Sequence, residues 1–130
     1  MDEPNSTLYE DLGGADVLRR IVDLFYDEMD QNPEMAVIRQ MHPADLTTSR
    51  DKLFMFLSGW TGGPNLYWET YGHPRLRARH MPFAIGDREA IQWLACMDVA
   101  LMACVSPSVY DQLMGAFKHM AGHMRNRVTD

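Results

Sequence analysis

The sequence predicts a single all-α domain. Apolar residues recur at three- and four-residue spacings along most of the chain, the alternation typical of strands is nearly absent, and glycine or proline separates the periodic segments. The chain has 130 residues, a length that suits one domain able to bury a core without disulfides. We expect one domain over residues 1–130, with flexible tails at 1–7 and 126–130.

The first half of the chain predicts two long helices. Residues 15–30 form the first, because six apolar residues fall on one face, and Asn32-Pro33 ends it. Those six residues are Leu18, Ile21, Val22, Phe25, Tyr26 and Met29. Residues 34–41 favour a short helical turn. The second long helix covers 47–60, where Thr48 and Asp51 have the spacing of a capping box, and Gly62-Gly63-Pro64 ends it.

The second half predicts a loop, a short helix and two further long helices. Residues 65–73 favour the loop, and Pro74 suits the first position of a short helix that extends to His80. A long helix follows Gly86-Asp87, with Ile91, Leu94, Met97, Leu101 and Cys104 in one register. The last begins at Ser106-Pro107 and carries Val109, Leu113, Phe117, Met120 and Met124.

Charge and composition exclude several classes of protein. The net charge of −6 argues against a general DNA or RNA binder, which needs a basic face. No apolar run reaches the ~18 residues of a membrane span, and the acidic N-terminus is unlike a secretory signal. The two cysteines, Cys96 and Cys104, are too few for a disulfide framework and suit reduced core residues. We therefore expect a cytoplasmic protein.

The segment YGHPRLRARHMPF, residues 71–83, is the strongest functional signal in the chain. His80 lies in the last turn of the short helix and shares a face with Leu76, so its imidazole meets an apolar surface. Such a histidine suits the proximal ligand of haem iron, with its other ring nitrogen donating to a backbone carbonyl. Arg75, Arg77 and Arg79 suit the haem propionates. The alternative is a core histidine beside solvated arginines, which this segment alone favours.

Other stretches carry a resemblance to a known family. They are Leu12-Gly13-Gly14, Phe25-Tyr26, Gly62-Gly63-Pro64, the GHPRLRARHMPF block, and Trp93-Leu94 with Cys96-Met97. With these residues the chain resembles the group II truncated haemoglobins, bacterial and plant globins with a two-over-two helical sandwich around a haem. The resemblance extends from about Leu8 to Arg125. It implies a single globin domain that binds haem b (iron protoporphyrin IX).

The resemblance also implies a role for individual residues. His80 matches the proximal ligand, Arg79 a propionate partner, and Tyr26 and Trp93 the distal donors. Leu53 matches an apolar distal wall residue, Ser49 lies where many globins have a distal histidine, and His73 matches a residue near the haem edge. Further haem contacts are implied at Phe25, Phe56, Leu57, Tyr67, Met81, Phe83, Ile85, Met97 and Phe117. The alternatives are a solvent-facing Tyr26 and a Trp93 that only fills the core.

His42 departs from the family pattern, which has phenylalanine or tyrosine at this distal position in most relatives. Three functional roles stay open for it. The first role is to donate a hydrogen bond to a bound ligand, and the second is to act as a pH-sensitive gate. The third is to bind iron as a sixth ligand when no gas is present. The further alternative is an ordinary surface histidine beside the end of a helix. We rank the hydrogen-bond donor first, the surface histidine second and the sixth ligand third.

The resemblance implies a protein that binds dioxygen, carbon monoxide and nitric oxide at a histidine-ligated iron. Donors at Tyr26, Trp93 and His42 imply high oxygen affinity and slow release, which suits storage, sensing or redox chemistry better than transport. An alternative is a redox enzyme, a nitric oxide dioxygenase or peroxidase. That activity needs an electron donor such as a reductase, and the chain has no flavin or nicotinamide motif. A third alternative is a helical interaction module without a cofactor. A monomer and a homodimer are both compatible with the sequence.

Overall fold

Helices make up about three quarters of the part of the chain that the structure describes. The computed structural model describes residues 6–80 and 85–125, apart from the side chains of Arg77 and Arg79. Its elements are α1 (Leu8–Leu12), α2 (Ala15–Gln31), a 3-10 turn (Pro33–Met35), α3 (Ala36–Arg39), α4 (Thr47–Trp60), α5 (Leu66–Tyr71), α6 (Leu76–His80), α7 (Asp87–Cys104) and α8 (Pro107–Met124). These residues include no strand, which confirms the all-α prediction.

Four long helices form the core. Helix α2 packs against both α7 and α4, and α7 also packs against α8. All six residues predicted for the inner face of α2 are buried, and Phe25 and Val22 are completely inaccessible to solvent. Cys96 is buried with them, and burial raises the pKa of its thiol to about 12, so the thiol stays protonated. None of the described helices is both long enough and apolar enough to cross a bilayer.

The N-terminal helix α1 packs against the Gly62-Gly63 pair. Thr7 and Glu10 form a capping box that starts α1, and the backbone N–H of Tyr9 donates to the carbonyl of Thr61 at 2.9 Å. A Cβ atom on Gly63 would lie 2.4 Å from the ring of Tyr9. Only glycine therefore allows this close approach.

Two predicted boundaries are wrong. Residues 65–73 are not a loop throughout, because α5 forms over Leu66–Tyr71. This helix is too short to show a periodic pattern, and it is held by packing on α4, where the rings of Tyr67 and Phe56 lie 6.3 Å apart. Helix α6 starts at Leu76 rather than at Pro74, because Arg75 has a left-handed φ of 48° that interrupts a helix.

Two further predictions about side chains are also wrong. Thr48 and Asp51 do not form a capping box, because α4 already begins at Thr47, whose N–H donates to Asp45 Oδ1 at 2.9 Å. The spacing predicts Ile91 in one register with the other apolar residues of α7, but 65% of its surface is exposed. Its helix has apolar residues around much of its circumference, so spacing alone does not distinguish the inner face.

Candidate functional site

A cavity of about 570 Å³ lies among helices α2 to α8, each of which contributes at least one residue to its wall. Cofactor sites typically have volumes of roughly 300–1,000 Å³ and mainly apolar walls with a few polar groups. Nine of the residues assigned to the site from the sequence line it: Tyr26, His42, Ser49, Leu53, Phe56, Tyr67, His80, Ile85 and Trp93. The fold therefore brings together, in one cavity, side chains from five helices and two connecting segments.

His80 has the geometry of an oriented metal ligand. It lies at the end of α6, half-buried, and its Nδ1 is 2.7 Å from the carbonyl oxygen of Leu76. A carbonyl can only accept, so Nδ1 carries the proton and donates. In the neutral ring, Nε2 is then the nitrogen with the lone pair that coordinates a metal. The hydrogen bond fixes the tautomer and the ring orientation, as for metal-bound histidines generally.

His42 repeats this arrangement on the same cavity. Its Nδ1 lies 2.8 Å from the carbonyl oxygen of Ile38, again four residues earlier, so Nδ1 donates there. Burial lowers the pKa of His42 below its usual 6.5, and the positive charge of Arg39 lowers it further. The hydrogen bond to Ile38 acts in the opposite direction and is outweighed. His42 is therefore neutral at neutral pH. In that state its Nε2 accepts hydrogen bonds and does not donate them.

Tyr26 and Trp93 are neutral hydrogen-bond donors in the cavity wall. Only 6% of Tyr26 is exposed, and burial raises the pKa of its hydroxyl far above the usual value, so it stays protonated. The ring of Tyr26 meets that of His42 edge-on, with centroids 5.8 Å apart. Trp93 packs against Phe25 and Phe117 at centroid distances of 5.2 and 5.4 Å. Neighbouring rings thus hold both donors in place.

Other residues predicted for the site do not reach the cavity surface. Phe25, Leu57, Met97 and Phe117 are almost completely buried in the core behind it. His73 is exposed and lines a neighbouring cavity. Arg75, which the sequence predicts as a propionate partner, lines the same neighbouring cavity. Met81, Phe83 and the side chain of Arg79 lie outside the described residues.

Lys52 is a candidate that the sequence reasoning missed. It lines the cavity, and its ammonium group lies 5.2 Å from the centroid of the Tyr71 ring. Its spacing from Ser49 and Phe56 places all three on one face of α4, and this spacing was available in the sequence. A lysine at the edge of an apolar cavity can pair with a carboxylate. Met120, Ala121 and Met124 of α8 complete the apolar wall.

These residues fit a haem. The cavity has the volume and apolar lining of a cofactor site, a histidine oriented through its Nδ1, and a lysine able to meet a propionate. The protonated donors Tyr26 and Trp93 and the acceptor His42 also line it, so the wall contains both kinds of hydrogen-bonding partner.

Comparisons with known proteins identify the family. The sequence model of the bacterial-like globins matches residues 7–126. The group 2 truncated hemoglobin YjbI of Bacillus subtilis (strain 168) is 38% identical over 115 residues, which cover 88% of this chain and 85% of that protein.

Solved structures agree in fold. The group II 2-on-2 hemoglobin of Agrobacterium tumefaciens superimposes with a TM-score of 0.93 at 37% identity, covering 99% of this chain and 100% of that one. A truncated oxygen-avid haemoglobin from Bacillus subtilis gives a TM-score of 0.86 at 37% identity, over 93% and 100% of the two chains. The two-over-two fold predicted from the sequence is thereby confirmed. The chain belongs to the bacterial-like globins and, among them, to the group II truncated haemoglobins.

Proposed function

We propose that this protein binds haem b through His80 and holds dioxygen, or carbon monoxide or nitric oxide, with high affinity and slow release. The observation that carries the proposal is the orientation of His80, whose Nδ1 donates to Leu76 in a cavity that also contains Tyr26 and Trp93. The bound haem supplies an iron centre at which diatomic gases bind reversibly. The residues of this chain orient the haem and form hydrogen bonds to the ligand.

On the proximal side, the backbone carbonyl of Leu76 accepts the Nδ1 proton of His80. That bond leaves Nε2 to coordinate and makes the nitrogen more basic. The bond lies within α6, between residues four apart, so the ring orientation depends on a single short helix. Lys52, together with Arg79, is proposed to pair with the propionates and so set how the haem is seated.

On the distal side, we assign the Tyr26 hydroxyl and the Trp93 indole as donors to the gaseous ligand. Both are protonated at neutral pH, and both are held by neighbouring rings. Neutral His42 has only an acceptor left, so we propose that it orients a hydroxyl or a water and does not donate to the ligand itself. This proposal differs from the donor role that the sequence alone ranked first.

High oxygen affinity agrees with the description of the Bacillus subtilis relative as oxygen-avid. A hydrogen bond to a charged acceptor contributes about 1.5–3 kcal/mol, and about 1.4 kcal/mol corresponds to a tenfold change in an equilibrium. Two such donors therefore raise the affinity for dioxygen strongly. A protein with this pocket suits ligand storage, sensing or redox use of the ligand better than transport.

The deciding experiment is a haem titration followed by absorption spectroscopy. We expect wild type to take up one haem per chain with a strong Soret band, and His80→Ala to lose or strongly alter that band. His73→Ala is the matched control, because His73 lies outside the cavity, and it should behave as wild type. An absence of haem uptake by wild type would refute the proposal. Equal spectra for wild type and His80→Ala would refute the ligand assignment.

A further inference from the structure

A second cavity of about 490 Å³ adjoins the first on the side of α6. The two share Phe56, Pro74 and Leu76 as a common wall, and the carbonyl of Leu76 is the one that accepts from His80. The role proposed above for the protein leaves this second cavity unused. Its remaining wall consists of Gly59, Trp60, Asn65, Trp68, His73, Arg75 and His123.

The charge of this wall favours an anion. Arg75 contributes a guanidinium, and none of the described residues that line the cavity is an aspartate or glutamate. The Arg75 guanidinium makes no ion pair with any residue of ranges 6–80 and 85–125. In a protein with a net charge of −6, an arginine that has no carboxylate partner among the described residues is available to an anionic ligand.

The backbone at Arg75 supports this interpretation independently. Arg75 is the only non-glycine residue with a positive φ in the described part of the chain. Its N–H donates to Nδ1 of His73 at 2.9 Å, which ties the two residues together. Glycine adopts this conformation without strain, so an arginine here has a conformational cost. Strained positions of this kind cluster at ligand sites.

An aromatic surface lies beside the cation. Trp68 is 47% exposed, although large aromatic side chains are usually buried, and its ring lies 4.6 Å from that of His73. Trp60 contributes a second ring to the wall and stacks on Phe117, so it is fixed in position. Indole surfaces beside a guanidinium suit a ligand that is both planar and negatively charged.

We propose that this cavity is a binding site for a small aromatic carboxylate, with the carboxylate on Arg75 and the ring against Trp68. The site is separate from the haem cavity, and it borders the residue that orients the proximal histidine.

Calorimetry with benzoate tests the site. The protein is used in its haem-loaded ferrous form saturated with carbon monoxide, so that the iron is not open to the added carboxylate. We expect saturable binding with one benzoate per chain, and at least tenfold weaker binding of acetate, which lacks the ring. Arg75→Gln should weaken benzoate binding at least tenfold. Arg20→Gln, an exposed arginine on α2 that lines neither cavity, should leave it unchanged.

Two further measurements separate a ligand site from a structural role of Arg75. Arg75→Gly should abolish benzoate binding without lowering the thermal midpoint, because glycine relieves the left-handed backbone. Nuclear magnetic resonance should show benzoate shifting the indole N–H signal of Trp68 and not that of Trp93. Three outcomes would overturn the proposal: no saturable binding at millimolar benzoate, equal binding to Arg75→Gln, or a shift confined to Trp93. The Soret band reports haem binding separately, so failure here is distinguishable from failure of the proposed function.

Discussion

Among the individual side chains proposed to donate to the ligand, Tyr26 is the one whose effect on ligand release is simplest to isolate. Tyr26→Phe removes a buried, protonated hydroxyl and keeps the ring that meets Phe25 and His42. We predict that dioxygen leaves the variant about tenfold faster or more, because a hydrogen bond to a charged acceptor contributes about 1.5–3 kcal/mol. Stopped-flow displacement by carbon monoxide measures the rate.

Tyr110→Phe is the control for this prediction. It also removes a tyrosine hydroxyl, one that donates to Asp98 away from the cavity, and should not change the release rate. If Tyr26→Phe released dioxygen at the wild-type rate, Tyr26 would not be a donor to the ligand.

His42 predicts a pH dependence of stability. Burial lowers its pKa in the folded chain below the usual 6.5, so the unfolded chain binds the proton more readily. The contribution of neutral His42 is therefore complete above about pH 6.5 and is lost as the pH falls through the lower folded pKa. We predict that His42→Phe reduces the loss of unfolding free energy between about pH 7.5 and about pH 5.

Urea denaturation at the two pH values measures this difference. His119→Gln, which replaces an exposed histidine on α8, should retain the wild-type pH dependence. The same dependence in His42→Phe as in wild type would show that His42 protonates equally well in the folded and unfolded chains.

At the scale of the elements, Arg50 joins α4 to α2 beside the pocket. Its guanidinium donates to Asp23 Oδ1 at 3.1 Å and to Asp27 Oδ1 at 2.8 Å, and lies 5.9 Å from the centroid of the Tyr26 ring. The neighbouring Ser49 lines the cavity, so this junction sets the spacing between two of its walls. We predict that Arg50→Gln lowers the unfolding free energy by about 1 kcal/mol and speeds dioxygen release.

Arg19 provides a matched control for this junction. It also connects the two helices, through Asp51 at 2.8 Å, but it is more exposed than Arg50 and does not contact Tyr26. Arg19→Gln should cost less stability and leave the release rate unchanged. If both variants altered release equally, the general contact between α2 and α4 would be responsible and not the position of Arg50.

The sequence predicted the long helices well because each carries enough turns for its apolar spacing to be read. The inner face of α2 is an example, with all six predicted residues buried. Short elements depend on tertiary contacts that spacing does not reveal. Helix α5 needs the surface of α4, and α6 starts late because Arg75 takes a left-handed conformation. Neither cause is visible in a local pattern.

At the scale of the whole molecule, the spacing of apolar residues does not predict which residues from different helices line the same cavity. Spacing places Ser49, Lys52 and Phe56 on one face of α4, but it does not show that His42 and His80 line the same cavity. Only the family resemblance predicted that convergence. The resemblance did not distinguish residues that line the cavity from residues packed behind them. Four of the predicted contacts lie in the core behind the cavity wall: Phe25, Leu57, Met97 and Phe117. Nor did the resemblance reveal that the hydrogen bond to Ile38 leaves neutral His42 as an acceptor.

The position of the cavity predicts how haem stabilises the fold. Protein side chains fill the core between α2 and α7 without a cofactor, because Val22, Phe25 and Ala100 are fully inaccessible to solvent. By contrast, Leu53, Phe56 and Met120 face the cavity and are only half-buried. A ligand that binds only the folded state, at a free concentration 100 times its dissociation constant, raises the free energy of unfolding by about 2.7 kcal/mol. We therefore predict that haem raises the thermal midpoint, and that amide hydrogen exchange slows most in α4, α6 and α8.

Exchange in the buried middle of α2 should change least, because its packing partners are already in place without haem. His80→Ala should reduce the rise in thermal midpoint, since the iron would lose its protein ligand. Mass spectrometry of peptides from each helix, with and without haem, measures the pattern. Equal slowing in all helices would mean that the chain folds as one unit around haem, and that the contact between α2 and α7 is not an independent core.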